Sequence, residues 1–103
     1  MKAGKRQRLE RKGWKVGNAA EFLGLSPEQE ALIDMKIELG KMLRVRRIDN
    51  HWTQVEFAKK VGSSQSRVAK MESGDPSVSL DLLVKSLLVA GTSRNQLAKA
   101  IGG

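Results

Sequence analysis

Residues 53–74 read TQVEFAKKVGSSQSRVAKMESG, and this stretch decides the fold. Thr53-Gln54-Val55-Glu56 has the spacing of a capping box. The Thr53 hydroxyl can accept from the amide three residues on, and Glu56 can reach back to the cap amide. The helix it opens has Val55 or Phe57, then Ala58 and Val61, as inward residues, and it stops at Gly62. Ser63 and Ser64 supply caps for a second helix that runs through Ser73, with Val68, Ala69 and Met71 inward. Two helices this short, joined by a tight turn, cannot each bury a wide face. They must cross closely, which asks for a small residue at the contact and a residue tolerant of positive φ at the turn. Ala58 and Gly62 meet both needs, and Val61 and Val68 are the apolar residues the pair would share.

Working outward, Ser26-Pro27-Glu28-Gln29 is a strong helix start, with a cap, a proline at the first helical position and an amide able to reach back. Leu32, Ile33, Ile37, Leu39, Met42 and Leu43 follow at mixed three- and four-residue spacing, predicting a helix to about Ile48. On the other side, Gly74-Asp75-Pro76 is a breaker. Ser79 opens a helix carrying Leu80, Leu82, Leu83, Leu87 and Leu88, closed by Gly91. Ser93-Arg94-Asn95-Gln96 begins a last short helix with Leu97, Ala98 and Ile101. Nothing alternates with period two, so no strand is expected. The fold class is all-α, a domain of about five helices over residues 26–103. Residues 1–13 show no apolar periodicity and read as a flexible basic arm. Residues 14–25 read as an extension in which Asn18 caps a short helix bearing Phe22 and Leu23, ended by Gly24, with Trp14 and Phe22 packing it onto the domain. Leu82, Leu87, Leu88 and Val89 exceed what one helix face can bury, which places a homodimer surface in the C-terminal part.

Composition narrows the function. Apolar residues make up 40% and charged residues 29%, a globular mixture, but aromatics are only 4%, so Leu, Ile, Val, Met and Ala must build the core. No apolar run approaches the ~18 residues that a membrane span needs, and no apolar stretch follows the basic start as a signal peptide would require. With no cysteine, disulfides and thiolate metal sites are excluded. A cytoplasmic protein without membrane association is expected. Lys and Arg total 19 against 11 acids, a net charge of +8, a surplus that favours phosphate contact. The charge is also segregated. Lys2, Lys5, Arg6, Arg8, Arg11, Lys12 and Lys15 crowd the arm, and Lys41, Arg44, Arg46 and Arg47 end the first long helix. Glu28, Glu30, Asp34 and Glu38 gather at its beginning.

A catalytic reading has little to stand on. There is no cysteine or tyrosine, and the one histidine, His51, sits in a turn without a partner at ligand spacing. Gly62, Gly74 and Gly91 each end a helix rather than form a phosphate-cradling loop, and Glu28 and Glu30 lack an acid–base partner. No enzyme activity, cofactor or metal is expected. Trp52 is expected to pack rather than stack on a base. The second helix of the 53–74 stretch, in contrast, exposes Ser64, Gln65, Ser66, Arg67 and Lys70, the hydroxyl, amide and cationic groups that pair with base edges and phosphates.

In Thr53, Gln54, Phe57, Ala58, Gly62, Ser63, Ser64, Met71, Glu72 and Gly74 the stretch resembles the helix-turn-helix of the Cro and phage-repressor regulators, the xenobiotic-response-element (XRE) family. The resemblance extends loosely from Leu39 to about Leu88. It implies a lambda-repressor-like domain that binds double-stranded DNA with its second motif helix in the major groove. Carried over, it implies a phosphate contact for Gln54, base reading for Gln65, Ser66 and Lys70, and a flanking role for Arg67. It also implies capping by Ser63 and Ser64, with Ser64 able to touch the backbone or a base. Family members commonly pair an Arg of the first helix with a Glu near the motif's end, and Arg47 and Glu72 stand at those positions. Two functions are compatible with the resemblance. One is a stand-alone transcriptional regulator, usually a repressor. The other is an antitoxin that neutralises a toxin protein and represses its own operon, a reading prompted by the extension Gly13–Leu25.

Overall fold

Each helix starts where a side chain satisfies amides that the helix itself cannot. The computed structural model describes residues 24–102, and the basic arm and residues 14–23 of the extension lie outside the described residues. The described elements are α1 (Pro27–Asp49), α2 (Gln54–Val61), α3 (Gln65–Ser73), α4 (Leu80–Val89) and α5 (Arg94–Gly102), with no strand among them. Ser26 and Gln29 exchange bonds at the start of α1, the Ser26 amide donating to Gln29 Oε1 at 2.8 Å and the Gln29 amide to Ser26 Oγ at 3.2 Å. Ser79 caps α4 through the Leu82 amide at 3.2 Å. Ser93 and Gln96 repeat the reciprocal arrangement before α5. The expected all-α class is met, and Ser26, Ser79 and Ser93 cap their helices as expected.

The chain divides into two units after Asp34, inside α1. The described part of the first is Gly24–Asp34, where Gly24 has φ +71° ahead of the Ser26 cap. The second unit has one core. Leu39 and Leu43 of α1, Phe57, Ala58 and Val61 of α2, and Val68 and Met71 of α3 are buried together with Val78, Leu83, Leu87, Ala90 and Leu97. Each large apolar side chain removed from water in this way contributes about 1.5–3 kcal/mol. Between Val55 and Phe57 the core takes Phe57, which is fully buried, and leaves Val55 52% exposed. Ser86 is buried as well, and its hydroxyl donates to Met71 Sδ at 3.4 Å, joining α4 to α3.

Several burial expectations need correction. Leu87 is fully buried and Leu82 packs against the core, so of the four residues expected to overflow the α4 face only Leu88 and Val89 remain exposed. The leucines wrap further round α4 than a single stripe because α2, the loop at Val78 and α5 all lean on the same core. Leu32, Ala98 and Ile101 are exposed rather than inward, and Ala69 is only half-buried. Met42 is half-buried against the core.

Gly40 controls how α1 meets α3. It is buried in mid-helix, where glycine normally costs helix stability. A Cβ at Gly40 would overlap the Met71 carbonyl oxygen and would lie 3.1 Å from the Glu72 carbonyl oxygen and 3.2 Å from the Gly74 nitrogen. Gly74 answers from the other side, with φ +74° and room for no Cβ against the Ile37 backbone. Because the neighbours are backbone atoms, repacking cannot relieve the overlap. Gly40→Ala is therefore expected to destabilise the fold by about 3 kcal/mol or more, at or beyond the upper end for overpacked cores, despite the better helix propensity of alanine. Denaturant unfolding of the two proteins checks this, and a neutral or stabilising result would refute the close approach.

Candidate DNA-binding surface

The two motif helices are fixed at both ends. Thr53 caps α2 with the complete capping box: its Oγ1 accepts the Glu56 amide at 3.0 Å, and Glu56 Oε1 accepts the Thr53 amide at 2.8 Å. These bonds hold the Glu56 carboxyl below its ordinary pKa. α2 ends in Gly62 at φ +69°, ψ +40°, a conformation glycine adopts without Cβ strain. The Ser63 amide then donates back to the Ala58 carbonyl at 2.8 Å. Ser63 therefore closes α2 and does not cap α3. That role belongs to Ser64 alone, whose hydroxyl accepts the Arg67 amide at 3.1 Å. Three residues, 62–64, thus turn the chain from one helix into the next.

α3 turns Val68 and Met71 into the core and leaves Gln65, Ser66, Arg67 and Lys70 exposed. Its one acid, Glu72, points the other way. Arg47 Nε and Glu72 Oε2 lie 2.5 Å apart, and Arg47 Nη2 donates to Glu72 Oε1 at 3.1 Å, a two-pronged pair of the kind guanidinium and carboxylate form best. The side chains are only 13% and 6% exposed. Arg47 Nη1 also donates to the Trp52 carbonyl at 2.9 Å. Trp52 stacks on Phe57 with ring centres 5.6 Å apart, and Lys60 Nζ lies 4.7 Å over its outer face. Trp52 therefore packs, as its position before the motif suggests.

The pair extends outward to the surface through two glutamines. Gln54 Nε2 donates to Glu72 Oε1 at 3.2 Å, and Gln65 Nε2 donates to Gln54 Oε1 at 2.7 Å. The resemblance implies a phosphate contact for Gln54 through its side-chain amide. In the structure it is half-buried, its carbonyl is engaged, and one of its two amide hydrogens remains to face outward. Gln65 keeps its carbonyl and one N–H, the acceptor and donor that an adenine edge requires. This Gln65–Gln54–Glu72–Arg47 chain brings together residues 25 positions apart in sequence, and no local pattern signals it. Beyond α3, Ser77 and Val78 line a hollow together with Ser64, Ser66, Arg67 and Lys70. Neither was a candidate from sequence. Among the described residues no group of three His, Asp or Glu is placed to hold a metal ion, and no helix is long and apolar enough to cross a membrane.

Residues 43–86 match the family model described as helix-turn-helix. The matched segment is a helix-turn-helix of the Cro and phage-repressor (XRE) type. No curated protein and no solved structure matches it. In this helix-turn-helix, α2 and α3 are the two motif helices, α1 carries Arg47 beneath them, and the match ends at Ser86 within α4.

Two outcomes follow. Glu72→Ala leaves the Arg47 guanidinium nearly buried with only a carbonyl partner. It should cost about 3–5 kcal/mol, as breaking a buried pair does, whereas a surface pair would cost under about 1. Thermal and urea unfolding of Glu72→Ala and Arg47→Ala measure it, and an unchanged melting temperature in both would refute the pairing. The second outcome concerns acid. The Glu56 pKa is lowered in the folded state, so its contribution is complete above the ordinary carboxylate pKa and is lost as pH falls through the lowered value. In Thr53→Ala the Glu56 carboxyl should titrate closer to its ordinary value, as carbon NMR of the carboxyl would read.

Proposed function

We propose that the chain is a sequence-specific regulator of transcription that binds double-stranded DNA as a homodimer on an inverted repeat and acts as a repressor. The observation that carries this reading is the bond from Gln65 to Gln54. A base-reading side chain is useful only if its orientation is set before the DNA arrives. Gln65 sits in the exposed first turn of α3, where reading helices present side chains to base edges, and Gln54 holds its amide in one orientation. Ser66 lies beside it, with Arg67 and Lys70 further along the same exposed side. Ser63 closes α2 through its backbone amide, which leaves its hydroxyl as a candidate contact. The +8 charge supplies the sequence-independent part of the affinity.

Dimerisation is supported by the remaining exposed apolar face of α4. Leu88 and Val89 are exposed there beside half-buried Leu80 and Val84, and Asp81 and Lys85 stand one helical turn apart along it. A two-fold axis across such a face can set each Asp81 opposite the Lys85 of a second copy, a self-complementary arrangement. The antitoxin reading rests on the segment Gly13–Leu25, which up to Leu23 lies outside the described residues, and the same reading helix would serve it.

Gln65→Ala is expected to weaken binding to the selected operator about tenfold or more and to relax preference at one position per half-site, since a bidentate base contact contributes about 1–3 kcal/mol. Gln54→Ala should lower affinity for every sequence and, because Gln54 also orients Gln65, blur preference at that same position. Selection of bound fragments from random duplex DNA with the wild type and both variants gives site, symmetry and preference together. The half-sites are expected to repeat about one helical turn apart. If Gln65→Ala folded normally and kept both affinity and preference, the docking of α3 would be wrong.

A further inference from the structure

The geometry points to a phosphate seat beside α3, and we propose that Ser64, Ser66, Arg67, Lys70 and Ser77 together bind one phosphate oxyanion. These residues, with Val78, line a cavity of about 240 Å³, room for one phosphate and bridging waters. The inference rests on the DNA-binding reading above and reassigns two of its residues. Arg67 and Lys70 act on the backbone rather than on base edges, and Ser77 joins the site from a loop outside the family pattern.

The chemistry of the lining selects the ligand. Two cations three residues apart on α3 face the same hollow, and three hydroxyls stand around them. Ser64 uses its oxygen to accept the Arg67 amide, which leaves its own proton to donate. A purine or pyrimidine edge would find no acceptor here beyond hydroxyl oxygens, whereas a phosphate needs only donors and positive charge. The loop also matters for placement. Ser77 and Val78 bring the loop after α3 into the same lining as the helix cations. Gln65, by contrast, is not part of the lining.

One acid stands nearby. Asp75 Oδ1 accepts the Ser77 amide at 2.8 Å, and Ser77, Lys70 and Lys36 all stabilise its charge. Asp75 therefore competes with an entering anion for Lys70 and Ser77, and removing its charge should favour the anion.

The full-length chain and a short duplex of arbitrary sequence test the seat, with affinity followed across a salt series. Arg67→Gln, Lys70→Gln and Ser77→Asp are each expected to flatten the slope of log K against log salt by about 0.9 per protomer, the value of one lost phosphate contact. Ser77→Asp keeps both cations and blocks the hollow with a carboxylate, and Lys99→Gln, which lowers the net charge by the same one unit away from the hollow, separates the seat from general loss of charge. Asp75→Asn is expected to tighten binding, and Lys99→Gln, at an exposed position on α5, to leave the slope unchanged. Inorganic phosphate added to the DNA-free chain distinguishes the source. Amide shifts confined to Ser64–Arg67 and Ser77–Val78 show that free phosphate also enters, and their absence alongside the flattened slopes assigns the seat to the DNA backbone alone. Unchanged slopes in Ser77→Asp and Lys70→Gln, or a Lys70→Gln that alters preference at one base with its slope intact, would overturn the proposal. Wild-type chain that bound no duplex at any salt would instead refute the DNA-binding reading. The phosphate titration would then decide the seat by itself, with localised shifts supporting it and scattered or absent shifts ending it.

Discussion

The carboxylate of Glu72 is where the motif is tied together. It accepts from Arg47 of α1 through two nitrogens and from Gln54 of α2, while its own backbone belongs to α3. Arg47 in turn holds the Trp52 carbonyl, in the link between α1 and α2. Three helices and a turn are therefore referred to one charge pair. Such a pair adds little net stability, because taking both ions from water offsets most of their attraction. What it supplies is orientation. A hydrophobic pair of the same volume would hold the helices together yet allow small slides between them, and it would offer nothing for Gln54 to bond. The specificity of the surface is thus built on an interaction that burial alone would not select.

Burial of that pair depends on how near α1 can come to the end of α3. Gly40 and Gly74 remove two side chains from the crossing, one on each helix system, and the backbones meet there. Arg47 lies two turns beyond Gly40 on α1 and reaches Glu72 from that side. Without the glycine contact the helices would stand further apart, and the guanidinium would either stretch into water or lose its second bond. The core and the polar network are therefore coupled: the same close approach that buries Met71 and Leu43 also dries the ion pair.

Local signals were the legible ones. Thr53–Glu56, Ser26–Gln29 and Ser93–Gln96 cap their helices as their spacing predicts, because a cap is decided within four residues. Burial on a short helix was less legible. Val55 and Phe57 compete within one turn of α2, and only the stack of Trp52 on Phe57 decides between them. On α4, Leu87 and Leu82 looked surplus because a single-face count ignores how many neighbours lean on the helix. Gly40 carried no readable message at all, since a glycine in mid-helix registers only as lost propensity. Arg47 and Glu72 were paired by resemblance, not by any local rule, as 25 positions separate them. Ser77 could not be found from its surroundings in sequence, because a loop residue acquires its role only from what the loop folds against.

The surface divides its work by the stiffness of its side chains. Gln65 is braced by Gln54, which is braced by Glu72, which is braced by Arg47, so the amide proposed to read a base stands at the end of a hydrogen-bonded chain that begins at a nearly buried ion pair. Arg67 and Lys70 are exposed and flexible in their stems, which suits a contact whose value is charge rather than direction. A phosphate accepts from many angles, and a base edge accepts from few. Placing the rigid group at the first turn of α3 and the flexible cations along its flank lets the backbone contacts adjust while the base contact does not. On the proposed reading, affinity and discrimination are altered separately: substitutions among the cations change how tightly all DNA is held, and substitutions along the glutamine chain change which DNA is preferred.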